Sequence, residues 1–360
     1  MLLVSWIFAH WDLDRSVSAR FYHPDEGWFL EEAPPWYWLY RYGTIPGILL
    51  TLSALIGAVF LRVRHPDGNG YRYFLMIALT ALLGAGLLVN GFLKPYWGRP
   101  RPSEIQEFGG QYTYRQALSP GIPGKGRSFP CGHCTMGFLF VALFYCHRRS
   151  ATVAWVGGLG GLLYGSLISA ARVVQGAHFV TDCIWSLAVL WLVATVLYYF
   201  ILKIPDPGRT PMLPLRAGQR KILVIIATLL AVGIALAFLT RRPFFETGYF
   251  YPQLSSHIRE MRVGLDGGAV KRTVRYSDSA PLQILIHARG FAWVGASDAK
   301  AVKSASVSGD TYQVVYQNET QGYFSELTHE IEVVIPIPLK DRLTVVFTDT
   351  NSRAHGSSGE

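Results

Sequence analysis

The chain has 360 residues, 50% of them hydrophobic and only 16% charged, with a mean hydropathy of +0.24; this balance excludes an ordinary soluble protein and predicts a membrane protein with an appendage. The net charge of +9 and pI of about 9.4 would suit nucleic acid if the cations formed one stripe. They are scattered over short loops between apolar runs, so no nucleic-acid partner is expected.

Residues 1–10 are apolar but too short to span a bilayer, and they lack the basic leader and cleavage site of a signal peptide. From 11 to 43 the acids Asp12, Asp14, Asp25, Glu26, Glu31 and Glu32 sit among Phe, Trp and Tyr, so 1–43 reads as an interfacial segment with aromatics at headgroup level. Apolar runs follow at about 44–61, 74–93, 135–145 (extending back through Cys134), 151–171, 183–202 and 222–240. Most approach the ~20 residues needed to cross the hydrocarbon core. Arg62, Arg64 and Arg72, then Arg148 and Arg149, then Lys203, Arg209, Arg216, Arg220 and Lys221 fall on one side if every run crosses once, and that side is expected to be cytoplasmic. Gly157-Gly158-Leu159-Gly160-Gly161 lies inside an apolar run and predicts close helix packing, not a phosphate loop.

After residue 240 strand-like runs appear at 282–286, 312–316, 330–337 and 343–347, separated by turn-rich stretches. The expected fold is therefore an all-α integral membrane helical bundle of about six spans with a small C-terminal all-β domain of sandwich type. Its divisions are the interfacial segment 1–43, a membrane core 44–202, a cytoplasmic loop and last transmembrane helix 203–240, and an extracytoplasmic β-rich domain 241–360. His287 and His329 in that domain read as surface residues without a catalytic constellation.

Three polar islands interrupt the membrane core: Lys94 to Pro102, Ser128 to Cys134, and Arg172 to Asp182. At one membrane face they would gather cations, two histidines and a carboxylate into one pocket suited to a phosphate. Prolines 95, 100 and 102 are expected to keep the first island out of regular helix, with Lys94 and Arg101 converging on phosphate oxygens. In the second, Gly132 lets backbone approach a ligand at the start of a helix, and His133 is suited to donate a proton. Cys131-Gly132-His133-Cys134 is also the sequence of disulfide isomerases, but that reading needs a thioredoxin-like βαβ context. The same spacing permits a Cys131–Cys134 disulfide in an oxidising compartment. In the third island His178 and Asp182 are four apart, which on a helix lets the carboxylate hold one imidazole nitrogen while the other attacks. Arg172, ahead of a helix break at Gly176, can reach the same pocket.

Together the islands resemble the type 2 phosphatidic acid phosphatase and vanadium haloperoxidase superfamily, whose signature is Lys-x6-Arg-Pro, Pro-Ser-Gly-His and Ser-Arg-x5-His-x3-Asp. Lys94 with Arg101-Pro102, Pro130-Cys131-Gly132-His133, and Ala171-Arg172 with His178 and Asp182 reproduce its order and spacing over roughly residues 44–202. The resemblance implies that His178 is the nucleophile forming a phosphohistidine, oriented by Asp182, and that His133 protonates the leaving group. It further implies that Lys94, Arg101, Arg172, Cys131 and the Gly132 backbone hold the phosphate. Cys131 and Ala171 replace the usual serines, and a thiol is the weaker hydrogen-bond donor.

The expected activity is a metal-independent membrane lipid-phosphate phosphatase, acting on a phosphomonoester or pyrophosphate head group with no cofactor. Its partners are the membrane and a phosphorylated lipid within the bilayer. The alternatives are a lipid phosphotransferase using the same site, and a non-catalytic phosphate-binding or assembly protein acting through the β domain. The implied location is a bacterial inner membrane, with the site and the C-terminal domain facing the periplasm.

Overall fold

A computed structural model describes residues 1–24, 26–65, 68–110, 112–123, 126–205, 217–239, 241–266, 270–293, 298–321 and 326–348. Asp25, and Arg209 and Arg216 of the basic loop, lie outside the described residues. The chain divides into two compact units, one of residues 1–102 and 114–235, the other of residues 103–113 and 236–360.

The first unit is helical: α1 Leu2–His10, α2 Leu13–Ser18, α3 Trp36–Tyr42, α4 Ile45–Arg64, α5 Tyr71–Leu79, α6 Lys94–Trp97, α7 Gly132–Phe138, α8 Ala151–Val174, α9 Val180–Val196 and α10 Ala217–Leu239. A π-helix, Thr80–Leu93, joins α5 to α6, a 3-10 helix, Leu139–Arg148, continues α7, and a π-helical turn, Leu197–Ile201, ends α9. Among the described residues four helical stretches are long and apolar enough to cross a membrane: Trp36–Arg64, Tyr71–Glu104, Ala151–Val174 and Val180–Ile201. Their outward faces carry large apolar side chains, with Ile56 61%, Leu163 65% and Phe200 70% exposed. Each such group gains roughly 1.5–3 kcal/mol on leaving water for hydrocarbon, so these faces belong in lipid and the chain is an integral membrane protein.

The expected membrane run near 135–145 is α7 plus its 3-10 continuation, seven and ten residues long. The glycine-rich run lies against it, because a Cβ on Gly161 would come 2.5 Å from the Val141 nitrogen and one on Gly157 2.4 Å from Leu143. Small residues here let α8 approach its neighbour's backbone, as a close helix pair in a membrane requires. The first polar island is more helical than its prolines suggest. The π-helix runs directly into α6, Pro95 falls in the first turn of α6 where its missing N–H costs little, and the helix stops at Gly98, whose φ is +67°.

At one end of the bundle, Arg148 donates to the Pro205 carbonyl at 3.0 Å, and Arg149 and Arg62 lie 5.8 and 5.6 Å from the Tyr73 and Tyr71 ring centres. The polar islands meet where α7 and α9 begin and α8 ends, which is the opposite end by the alternation of the helices.

The second unit holds two four-stranded sheets. β1 Arg241–Phe250, β2 Glu260–Asp266, β3 Val270–Ser277, β4 Gln283–Trp293, β5 Asp298–Ser308, β6 Thr311–Gln321, β7 Glu326–Pro336 and β8 Thr344–Thr348 are ordered β1-β4-β7-β3 and β5-β6-β2-β8. Met261 and Val263, Ile284 and Ile286, Val314 and Tyr316, and Ile331 and Val333 point from both sheets into one shared core. That alternation, every second residue inward, is what makes a two-sheet sandwich from these strands. His287 Nδ1 bonds the Thr247 hydroxyl at 2.9 Å, a cross-strand contact.

Candidate active site

His178 and Asp182 meet, but not as an α-helical pair. α9 begins only at Val180, so His178 stands outside the helix in the bend opened by Gly176. Gly176 has φ +64°, and a Cβ there would lie 2.2 Å from the Trp28 ring. Only glycine meets both conditions, and the bend turns His178 back over the end of α8, where its N–H bonds the Arg172 carbonyl at 3.3 Å.

The imidazole is completely buried. Its Nδ1 lies 2.6 Å from the Ser128 carbonyl oxygen, which can only accept, so Nδ1 carries the proton and Nε2 keeps its lone pair. Nε2 has no hydrogen-bond partner among the described residues. The helical-spacing expectation had Asp182 gripping this ring directly, but the carboxylate stands 3.7 Å away. Its Oδ2 instead accepts from the Ser128 hydroxyl at 2.6 Å and from the Phe179 N–H at 2.8 Å, reaching back from the first turn of α9 to its N-cap. Asp182 therefore holds Ser128, whose carbonyl holds His178.

Arg99 anchors the other side of Asp182. It is fully buried and donates through Nη1 to Asp182 Oδ1 and Thr181 Oγ1, the latter at 2.8 Å, and through Nη2 to Asp14 Oδ2 at 2.8 Å. Asp14, on α2 and 1% exposed, also accepts from the Thr181 N–H at 3.1 Å and the Thr181 hydroxyl at 2.5 Å. The Tyr114 hydroxyl completes the shell, 3.3 Å from Asp14. Burial and then the Asp14 charge push that hydroxyl's pKa up, so it remains a neutral donor. Two carboxylates thus share one guanidinium, with hydroxyl and amide donors on their remaining lone pairs, as buried charges require.

Across the site, Arg172 is buried, donates to Gln175 Oε1 at 2.8 Å, and has its guanidinium 4.3 Å from the Tyr40 ring centre. The same ring lies 5.2 Å from the His133 imidazole. Tyr40 thereby joins the second and third islands. Gly132 opens α7 where a Cβ would fall 2.5 Å from Asn90 Oδ1. Cys131 is buried, caps α7 by accepting from the Cys134 N–H at 3.3 Å, and joins α9 through its own N–H to the Asp182 carbonyl at 3.3 Å. Lys94 is buried at the start of α6, while Arg101 is half-buried two residues beyond Arg99. The four cysteines are unbridged, and Cys134 has Cys183 as a sulfur neighbour at 3.4 Å.

Asp14, Tyr40, Asn90, Arg99, Ser128 and Thr181 were not among the expected site residues. Arg99 lies inside the first island, where its flanking Gly98 and Pro100 resembled those of a loop cation. Asp14 offered only the oddity of an acid beside an apolar helix.

These observations define a membrane-embedded helical protein with a buried, pre-oriented imidazole beside a buried cluster of one guanidinium and two carboxylates. The sequence pattern of the PAP2 superfamily matches residues 73–206, and that segment belongs to the superfamily. The chain is 26% identical over 206 residues to a lipid A 4'-phosphatase of Francisella tularensis subsp. novicida (strain U112), covering 54% of this chain and 89% of that protein. A lipid A 4'-phosphatase of Rhizobium leguminosarum is 33% identical over 139 residues, covering 37% of this chain and 55% of its relative. The crystal structure of a transmembrane PAP2-type phosphatidylglycerolphosphate phosphatase from Bacillus subtilis aligns at a TM-score of 0.36 and 21% identity, over 58% of this chain and 94% of that one.

Proposed function

We propose that the protein is a membrane lipid phosphatase that removes a phosphate monoester through a phosphohistidine on His178. The observation that carries this reading is the open Nε2 of His178, buried and aimed by the Nδ1–H bond to Ser128. Nε2 attacks phosphorus and the bond to the lipid oxygen breaks, while His133 gives that oxygen its proton. Water then displaces the phosphate from Nε2 and returns a proton to His133. Lys94, Arg101, Arg172 and the Gly132 N–H hold the phosphate oxygens, and no metal ion takes part. Asp182 is a positioning residue that stabilises the imidazolium character developing on His178. Because the relatives are named lipid A 4'-phosphatases, a lipid A phosphate is the first substrate to test.

Phosphate release from lipid A, phosphatidic acid and phosphatidylglycerophosphate by the purified protein in detergent decides the class. Release from at least one is expected; none from any of them would sink the reading. The same assay isolates His133. His133→Ala is expected to slow release from a lipid by roughly 10²–10⁴-fold. The loss should be much smaller with p-nitrophenyl phosphate, whose leaving group departs without a proton, and equal losses on both would remove His133 as the acid.

The proposal includes six crossings. α7 and its 3-10 continuation rise about 30 Å at 1.5 and 2.0 Å per residue, enough for a hydrocarbon core, and α10 is a 23-residue apolar helix. Gathering of Arg62, Arg148 and Arg149 at one end supports a cytoplasmic location there, with the site and the β domain in the periplasm of a bacterial inner membrane. In a cysteine-free background, a single cysteine at Gly309 is expected to react with an impermeant thiol reagent once the outer membrane alone is opened. Reaction only after the inner membrane is breached would reverse the orientation.

A further inference from the structure

We propose that Cys131, Cys134 and Cys183 form a binding site for a thiophilic divalent cation such as Zn²⁺ or Cd²⁺, and that loading it silences the phosphatase. The three thiols are 0%, 0% and 3% exposed, and their sulfurs all lie within 4.8 Å of one another. With Zn–S bonds of about 2.3 Å, a tetrahedral site needs sulfurs about 3.8 Å apart, so small side-chain adjustments close the ring around an ion. The frame is already fixed. Cys131 caps α7, Cys134 sits in its first turn and Cys183 in the first turn of α9, and the two helix starts are fastened by the Cys131 N–H on the Asp182 carbonyl and by the Ser186 hydroxyl 2.9 Å from the Cys131 carbonyl.

A buried cysteine by itself behaves as a small apolar side chain. Three with convergent sulfurs offer the donor set of a structural or inhibitory zinc site. Each ligating thiol releases its proton to solvent as the ion binds. The location gives the site its consequence. Cys131 follows Ser128, whose carbonyl aims the His178 ring, by three residues and precedes His133 by two, and its N–H is bonded to the Asp182 carbonyl, so an ion on its sulfur acts on the loop that positions both imidazoles. Drawing the three sulfurs onto one ion would shift that loop and with it the carbonyl that aims the attacking nitrogen.

Binding of the ion stands independently of the phosphatase reading, whereas its inhibitory effect rests on it, and two readouts keep them apart. Purified full-length protein in detergent, fully reduced, is titrated with Cd²⁺ while the ultraviolet thiolate-to-cadmium band is followed and bound metal is counted. One Cd²⁺ per chain and a saturating band are expected, lost in Cys134→Ser and in Cys183→Ser and kept in Cys146→Ser. Wild-type protein without the band, or a band that depends on Cys146, overturns the site without recourse to any variant's folding. In the phosphate-release assay Cd²⁺ is expected to abolish turnover until a chelator is added, and Cys183→Ser is expected to retain cation-free turnover but resist Cd²⁺. Saturated binding with undiminished release would overturn the inhibition and leave the site standing. Absence of release from every preparation would count against the phosphatase reading alone, since the band is read without substrate.

Discussion

His178→Ala is expected to lose phosphate release altogether and with it the transfer of labelled phosphate from substrate to protein. Neighbouring side chains cannot substitute, because the attacking nitrogen must be neutral, unbonded and fixed in direction, and these conditions meet at His178 Nε2. Its ring is aimed by the Nδ1–H bond to the Ser128 carbonyl, and Ser128 is held by Asp182. Protein incubated with ³²P-labelled lipid and quenched in alkaline detergent is the measurement: wild type should carry acid-labile, base-stable label, and His178→Ala none. Undiminished label in the variant would move the covalent step to another residue. Asp182→Asn tests the indirect arrangement. It keeps an acceptor for Ser128 and Phe179 but removes the charge beside the imidazole, so it should lower kcat more than it raises KM.

Arg99→Ala is expected to have the largest effect on stability. Removing one partner from a buried ionic cluster costs about 3–5 kcal/mol, because the charges left behind have neither water nor a counter-ion. Here one substitution strands two carboxylates, Asp14 and Asp182, on fully buried ground. Thermal unfolding in detergent should show a large fall for Arg99→Ala and a smaller one for Arg99→Ala combined with Asp14→Asn, since the second change removes one stranded charge. A double variant no more stable than the single would mean that Asp14 is not sensed by Arg99. Arg99→Lys should recover only part of the loss, because an ammonium cannot reproduce a planar fork shared by two carboxylates.

The apolar runs and the three islands were legible because hydrocarbon imposes length and composition on a span, and because histidines, arginines and prolines at its mouth are costly without a use. What escaped was set by backbone geometry or by distant partners. The spacing of His178 and Asp182 suggested a shared helix face, yet the helix starts two residues after His178, and a carbonyl took the place of the carboxylate. Cys131 and Cys134 suggested a pair, whereas the fold brings in Cys183 from another helix. In the second unit, the strands rich in Val and Ile announced themselves. β3, with Lys271, Arg272 and Arg275, and β5, whose residues 304–308 are exposed, did not, because a strand with one face in water carries little apolar signal.

The bond from Asp14 to Thr181 joins residues 167 positions apart, and that from Asp14 to Arg99 joins residues 85 apart. The superfamily match begins at residue 73, well after Asp14. The matching segment is therefore not a detachable module: cut out on its own, it would keep both histidines yet leave Arg99 facing a gap where its second carboxylate belongs. Among the described residues ahead of residue 73, Asp14 reaches inward to Arg99, so grafting this core onto another leader would require carrying α2 with it.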